Sequence, residues 1–286
     1  MWTAETRHFT KYLQSAGRSP HTIRLRLHYV GRLSQAVDSP DPWTVGVDQL
    51  VDFLSCPTWK PETRKSARAS VCAFYSWGVD TDRIEEHRNP ARRLPHVTAP
   101  RALPRPAPSM VFRCALLSAN DRDRLFLLLA GYAGLRRAEI AAVHPRDIDH
   151  ERQALRVHGK GGKERVVPLH PVLYAELGYE LERRVAGGFG SGWRFHSLIA
   201  PDSHLFPGRN GHVGPDVPGK ALARLLLGDW TGHTLRHRFA SAAYAVDRDL
   251  RAVQELLGHS KPETTARYVA TPDGALRAAV AGVTAA

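Results

Sequence analysis

Between Asn89 and Ser109 the chain places prolines at 90, 95, 100, 104, 106 and 108, with Arg92, Arg93, Arg101 and Arg105 among them. Proline lacks the backbone N–H and its ring clashes with the preceding turn, so such a run forbids a continuous helix and favours extended, polyproline-like backbone. Whatever folds must fold on either side. The layout expected is a domain over residues 1–90, a stiff basic linker over 91–109 and a second domain over 110–286. The 286 residues are enough for two cores.

The first part reads as four helices. Phe9, Tyr12 and Leu13 share a face in a segment near residues 3–16 that stops at Gly17. Ser19 and Pro20 supply an N-cap and a first-turn proline for a helix reaching about Val37. On it Ile23, Leu27 and Val30 form an apolar stripe, while Arg24, His28 and Arg32 recur four apart on another face. A short helix follows near Val47–Leu54. Pro61 opens another to about Trp77, with Val71, Phe74 and Tyr75 apolar and Arg64, Lys65 and Arg68 basic. Each basic stripe is either a solvated face or a set of phosphate contacts, and together they suit a small helical module lying on a DNA backbone.

The second part mixes helix and strand. Asp121–Tyr132 is apolar nearly all round and should be buried; Gly134 breaks it, and a short helix resumes over Arg136–Val143. Ile148-Asp149, Ala154–His158 and Arg165–Leu169 read as short strands, the last two joined by the turn Gly159-Lys160-Gly161-Gly162. Pro171–Ala186 reads as helix. The whole is mainly α with a small antiparallel β-sheet, an α+β fold. GGFGSG at 187–192 follows a helix, not a strand, and GKGGKE lacks the length and ending of a phosphate loop, so neither indicates ATP.

The segment Thr231–Thr271 carries the chemistry-bearing residues. His233 and Arg236 stand three apart in an HTLRH run and so share a helix face. An imidazole beside a permanently charged donor fork suits an anionic oxygen. Leu250, Val253, Leu256 and Leu257 have helical spacing, and Gly258 sits where a left-handed C-terminal residue is expected, fixing His259 at a corner. Ser260 and Glu263 read as a capping box with Pro262 in the first turn, so a short helix should carry Thr264 through Tyr268. His233 and His237 have a metal-ligand spacing, but HExxH is absent and no third ligand is near, so no zinc site and no cofactor are expected.

Charge points the same way. Lys and Arg number 40 against 28 Asp and Glu, a formal +12. That excess fits either a solvated basic surface or a partner made of phosphates. Cys56, Cys72 and Cys114 are scattered and odd in number, so buried reduced thiols are expected, not disulfides. No apolar run approaches the roughly 20 residues of a membrane span, and the N-terminus is charged, so a cytoplasmic, nucleoid-associated protein in a bacterial or phage-infected cell is expected.

HxxR, then LGH, then a tyrosine nine residues beyond His259 is similar to the C-terminal signature of the tyrosine recombinases, the phage integrase family. GYAGLRRAEI at 131–140 resembles that family's first arginine box, which places its arginine on Arg136 and its acidic residue on Glu139. VHGKGGKERVVPL at 157–169 resembles the β-hairpin lysine motif, with Lys160 as the match and Lys163 the less good one. The resemblance covers 110–271 closely and 1–90 by layout alone. It implies a helical core-type DNA-binding domain and a catalytic domain forming a C-shaped clamp. It also implies catalytic residues Arg136, Lys160, His233, Arg236, His259 and the nucleophile Tyr268, acting without metal or ATP. Arg24, His28, Arg32, Arg64, Lys65, Arg68, Lys163 and Arg165 are the candidate DNA contacts.

The implied activity is site-specific recombination of double-stranded DNA at a core site, through a 3′-phosphotyrosine, by a homotetramer, with an accessory directionality factor as a possible partner. The chain starts within its first helix, so a compact Xer-like or phage-integrase type without an arm-binding domain is expected. The tail from Pro272 to Ala286 could dock on a neighbour or lie as a surface helix. Asp247 stands where relatives often have glycine, and aspartate tolerates the left-handed region better than most residues. The alternatives are a type IB topoisomerase, which relaxes DNA without site preference, and a non-catalytic DNA-binding regulator.

Overall fold

The computed structural model describes residues 1–98, 103–159, 162–186, 203–209, 211–259, 262–266 and 268–269. The chain divides into two compact units, Met1–Arg101 and Ala102–Ala286.

Unit 1 is helical: α1 (Trp2–Ser15), α2 (Pro20–Ala36), α3 (Val47–Leu54) and α4 (Pro61–Asp80). Ser19 caps α2 by accepting from Thr22 N at 3.2 Å. Phe9, Val30, Leu33, Leu50, Val71, Phe74 and Tyr75 form the core. Trp43 stacks on Phe74 with ring centroids 5.2 Å apart. A Cβ on Gly78 would come within 2.3 Å of that indole, so α4 carries its glycine where the Trp43 ring crosses.

The proline run differs from the linker expected at 91–109. Pro90–Arg93 forms a 3-10 turn, and Ala91 and Leu94 are buried in the first core. At the far end Ala107 is buried in the second core and donates its N–H to Thr234 O at 3.0 Å. Proline excludes an extended helical ladder but has the φ of a single tight turn, so both ends of the run fold onto their neighbours.

In unit 2, α6 (Asp121–Tyr132) is the central helix, and Leu125 through Ala130 are all buried. Around it pack α5 (Ser109–Ser118), α8 (Pro171–Val185), α9 (Asp216–Leu226) and α10 (Gly232–Asp247), with the short α7 (Arg137–Ala141) next in the chain after α6. A meander of β1 (Ile148–Asp149), β2 (Ala154–His158) and β3 (Glu164–Pro168) is antiparallel throughout, pairing Val157 with Arg165 and His158 with Glu164. A second small hairpin joins β4 (Pro207–Gly208) to β5 (Gly211–His212). Then come α11 (Leu250–Leu257) and α12 (Pro262–Ala266).

Two local expectations change. The left-handed residue ending α10 is Arg248, φ 62°, not Asp247, which stays helical and accepts from Asp249 N at 3.1 Å. The last helix stops at Ala266, so Tyr268 lies beyond it, in a turn closed by its N–H on Thr265 O at 2.8 Å. Ser260, the GGFGSG segment and the tail from Pro272 lie outside the described residues. No helix among the described residues is long and apolar enough to cross a membrane.

Candidate active site

The site begins where α6 turns into α7. Gly134 has φ 62°, and a Cβ there would come within 2.4 Å of the Phe239 ring, so only glycine makes this corner. The corner leaves Gly134 O facing α10, where Arg236 donates to it through Nη1. Arg136 precedes α7, and Glu139 accepts from its backbone N at 2.9 Å and its Nη1 at 2.7 Å. The carboxylate fixes that arginine at the mouth of the site.

Helix α10 contributes His233, Arg236 and His237. Arg236 is 1% exposed; its Nη2 donates to Leu257 O at 2.5 Å and reaches His259 Nε2 at 3.2 Å. Its Nε is buried and has no hydrogen-bond partner among the described residues. Gly258, φ 62°, ends α11 and turns His259 inward. Because a guanidinium only donates, His259 Nε2 accepts from Arg236, which leaves Nδ1 to carry the proton toward Thr265 Oγ1 at 3.0 Å.

Tyr268 completes the group. Its ring stacks on His237 with centroids 4.4 Å apart and meets His259 at 4.8 Å and the edge of His233 at 5.0 Å. The Arg236 guanidinium carbon lies 5.6 Å from its centroid. One cavity of about 690 Å³ is lined by Arg136, His233, Arg236 and Tyr268 together with Arg137, Lys220 and neighbours from α9 and α10. It is an open, cationic cleft with a phenol on its wall.

Burial keeps the imidazoles neutral. It lowers His233, helped by Arg236 and Arg136, and takes His259 to about 3 with help from the same arginines. His237 falls to about 4 through burial and then His233. Burial and Arg136 bring Arg236 down to about 9, still a cation at neutral pH. Unfolded, a histidine titrates near about 6.5, so below that value the unfolded chain binds more protons than the folded one and stability falls as pH falls. Each of His237 and His259 should contribute roughly 1.4 kcal/mol per pH unit over that window. Thermal unfolding should therefore shift to lower temperature between pH 7 and pH 5. A flat midpoint would mean that the rings are protonated in the fold.

The structure brings Arg136, His233, Arg236, His259 and Tyr268 together, while Lys160 lies outside the described residues. Lys163 is exposed beside that turn, its carbonyl accepting from Gly159 N. Arg165, expected to contact DNA, is instead inside: only 9% exposed, it is spent on Glu139 and Leu256 O. Arg64 and Arg68 are likewise drawn into unit 1, Arg64 donating to Leu54 O and Cys56 O and Arg68 to Leu94 O. In each case the arginine reaches carbonyls at the end of another element, where the backbone leaves them without helical donors. Arg24, His28, Arg32 and Lys65 are exposed, with Arg32 over the Trp59 ring at 4.8 Å. Sequence reasoning passed over Thr265 and considered His237 only as a metal ligand. Its four-residue spacing from His233 is the signal that both face the tyrosine.

Residues 110–274 match the model of the phage integrase family. The chain is 32% identical over 283 residues to tyrosine recombinase XerC of Chromobacterium violaceum, covering 92% of this chain and 89% of that protein. It is 31% identical over 269 residues to tyrosine recombinase XerA of Thermococcus onnurineus, covering 91% and 88%. Among solved structures, a lambda integrase (75–356) dimer bound to a COC′ core site shares the fold with TM-score 0.71, at 16% identity, over 93% of this chain and 94% of that one. Fold and sequence together define an enzyme that breaks and rejoins DNA strands. The chain belongs to the phage integrase family of tyrosine recombinases. Its activity is site-specific recombination and its partner is DNA.

Proposed function

We propose that Tyr268 is the nucleophile and that Arg136, Lys160, His233, Arg236 and His259 serve the same phosphoryl transfer at a specific core site. The phenol oxygen bonds to phosphorus as the P–O5′ bond breaks, leaving a 3′-phosphotyrosine and a free 5′-hydroxyl. The tyrosine proton passes to His233, which burial keeps unprotonated, and the departing oxygen takes a proton from Lys160. A 5′-hydroxyl from a second strand reverses these steps, so strands are exchanged without ATP. Arg136 and Arg236 face the nonbridging oxygens, where each donor contributes on the order of 3 kcal/mol in a preorganised site. His259 adds a further hydrogen bond once its Nε2 is released from Arg236 and carries the ring's proton, the Thr265 hydroxyl then donating to Nδ1.

One observation carries this reading: the Tyr268 ring lies against the Arg236 guanidinium, and both line one cavity together with Arg136 and His233. An anionic phosphate oxygen suits a cavity that two guanidiniums line. Residues 1–90 act as the core-type DNA-binding domain, through Arg24, His28, Arg32 and Lys65, with Lys163 adding a contact from unit 2. The assembly is a homotetramer on DNA in the cytoplasm, at the nucleoid, and a directionality factor would bias it between integration and excision.

The test is a duplex from the protein's own genomic neighbourhood carrying a nick that traps cleavage, incubated in EDTA. A covalent protein–DNA band that resists SDS and maps to one position is the expected result. Tight binding without that band favours the regulator, and relaxation of any supercoiled plasmid without site preference favours the topoisomerase.

A further inference from the structure

The sequence marks Arg165 as one more basic residue on a hairpin, yet all three of its nitrogens are spent inside the protein. Nη1 donates to Glu139 Oε1 at 3.0 Å, Nη2 to Oε2 at 2.8 Å and Nε to Leu256 O at 2.8 Å. The same carboxylate accepts from Arg136 at both oxygens and lies 3.9 Å from Arg236 Nη1. With about four lone-pair sites, Glu139 is saturated by these two arginines. The other end of the contact is as specific. A Cβ on Gly258 would come within 2.8 Å of Arg165 Cδ, so the glycine that turns His259 inward also lets this side chain pass.

We infer that Arg165 is a positioning residue for strand cleavage, clamping the Glu139 carboxylate to the end of α11 and thereby holding Arg136, Arg236 and His259 in one arrangement around the phosphate. This rests on the proposed roles of those residues. Without Arg165, the carboxylate's terminal torsion is free to turn toward either remaining arginine, and Leu256 O loses its donor one residue from Leu257 O, which Arg236 uses. Burial would push the Glu139 carboxyl up, but hydrogen bonds and charge from Arg165, then Arg136, hold it down at about 2. A lysine cannot replace this fork, because one ammonium does not span two carboxylate oxygens and a carbonyl.

The experiment compares wild type, Arg165→Lys and Arg165→Gln in single-turnover cleavage of the trapping duplex at saturating DNA. A second duplex carries a methylphosphonate at the scissile position, where one nonbridging oxygen is a methyl group and the charge to be clamped is gone. On ordinary phosphate Arg165→Gln should cleave roughly 100-fold more slowly and Arg165→Lys roughly 10-fold, with DNA binding retained. On the methylphosphonate both deficits should shrink several-fold. Equal deficits on the two duplexes, or a rate loss that tracks lost DNA binding or a lower Tm, would mean a purely structural role and overturn the inference. So would wild-type rates. Should Arg165→Gln not fold, Arg165→Lys decides by the same comparison. A wild-type protein that forms no adduct on the phosphate duplex instead overturns the proposed function itself, so the two failures are distinct.

Discussion

Tyr268→Phe is expected to bind the core-site duplex as wild type does and to form no covalent adduct at any time. The substitution removes one oxygen and keeps the ring that stacks on His237 and meets His233, His259 and Arg236. The fold should therefore lose under about 1 kcal/mol, which a thermal melt would register as a small shift. The phenol is not replaced by a neighbour: the three imidazoles are held as neutral rings against the tyrosine, and the Thr265 hydroxyl beside them is buried and bonded to His259 Nδ1. A denaturing gel of both proteins on the trapping duplex reads the outcome. An adduct that persists in the variant would move the nucleophile elsewhere.

Glu139→Ala should damage both stability and rate. The carboxylate is buried and accepts from Arg136 and Arg165 through both oxygens. Removing it leaves two guanidiniums facing each other beside Arg236 with no counter-charge, and breaking a buried ion pair from one side typically costs about 3–5 kcal/mol. Urea unfolding should show a loss of that size. Cleavage should fall by roughly 100-fold or more even where the protein remains folded, because Arg136 no longer has a fixed direction. The pH sign follows: Glu139 titrates below the ordinary carboxylate range, so its stabilisation is present above that range and is lost as pH falls toward about 2. Glu139→Ala should lack this part of the acid limb. Wild-type stability in the variant would mean that the arginines find other partners.

Much of this architecture is visible in the amino-acid order because local rules agree with the global ones. Ser19-Pro20 predicts a helix start and Gly258 a helix end, and both act locally, Ser19 through its hydroxyl on Thr22 N and Gly258 through its left-handed backbone, with no distant partner. The run Leu125–Ala130 is apolar on all sides because α6 is covered on all sides. What could not be read is which basic residues stay outside. Arg165 lies two residues before the buried Val167, so strand alternation already places it on the inner face. Its partner, Glu139, is 26 residues away and only the tertiary fold pairs them. Arg64 and Arg68 went inward for the same reason, each reaching a carbonyl at a turn that helical periodicity does not reveal. The ends of the proline run were hidden too, because Ala91, Leu94 and Ala107 are apolar residues between prolines, and only the cores on either side give them somewhere to pack.

The central claim, that Tyr268 becomes bonded to DNA, is read most directly from the wild-type adduct itself. Digesting it with nuclease and trypsin and sequencing the nucleotide-bearing peptide by mass spectrometry locates the link to one side chain. The account predicts a 3′-nucleotide phosphate on Tyr268, at the head of the peptide ending at Arg277. The same phosphate on Tyr244 or any other residue would contradict it.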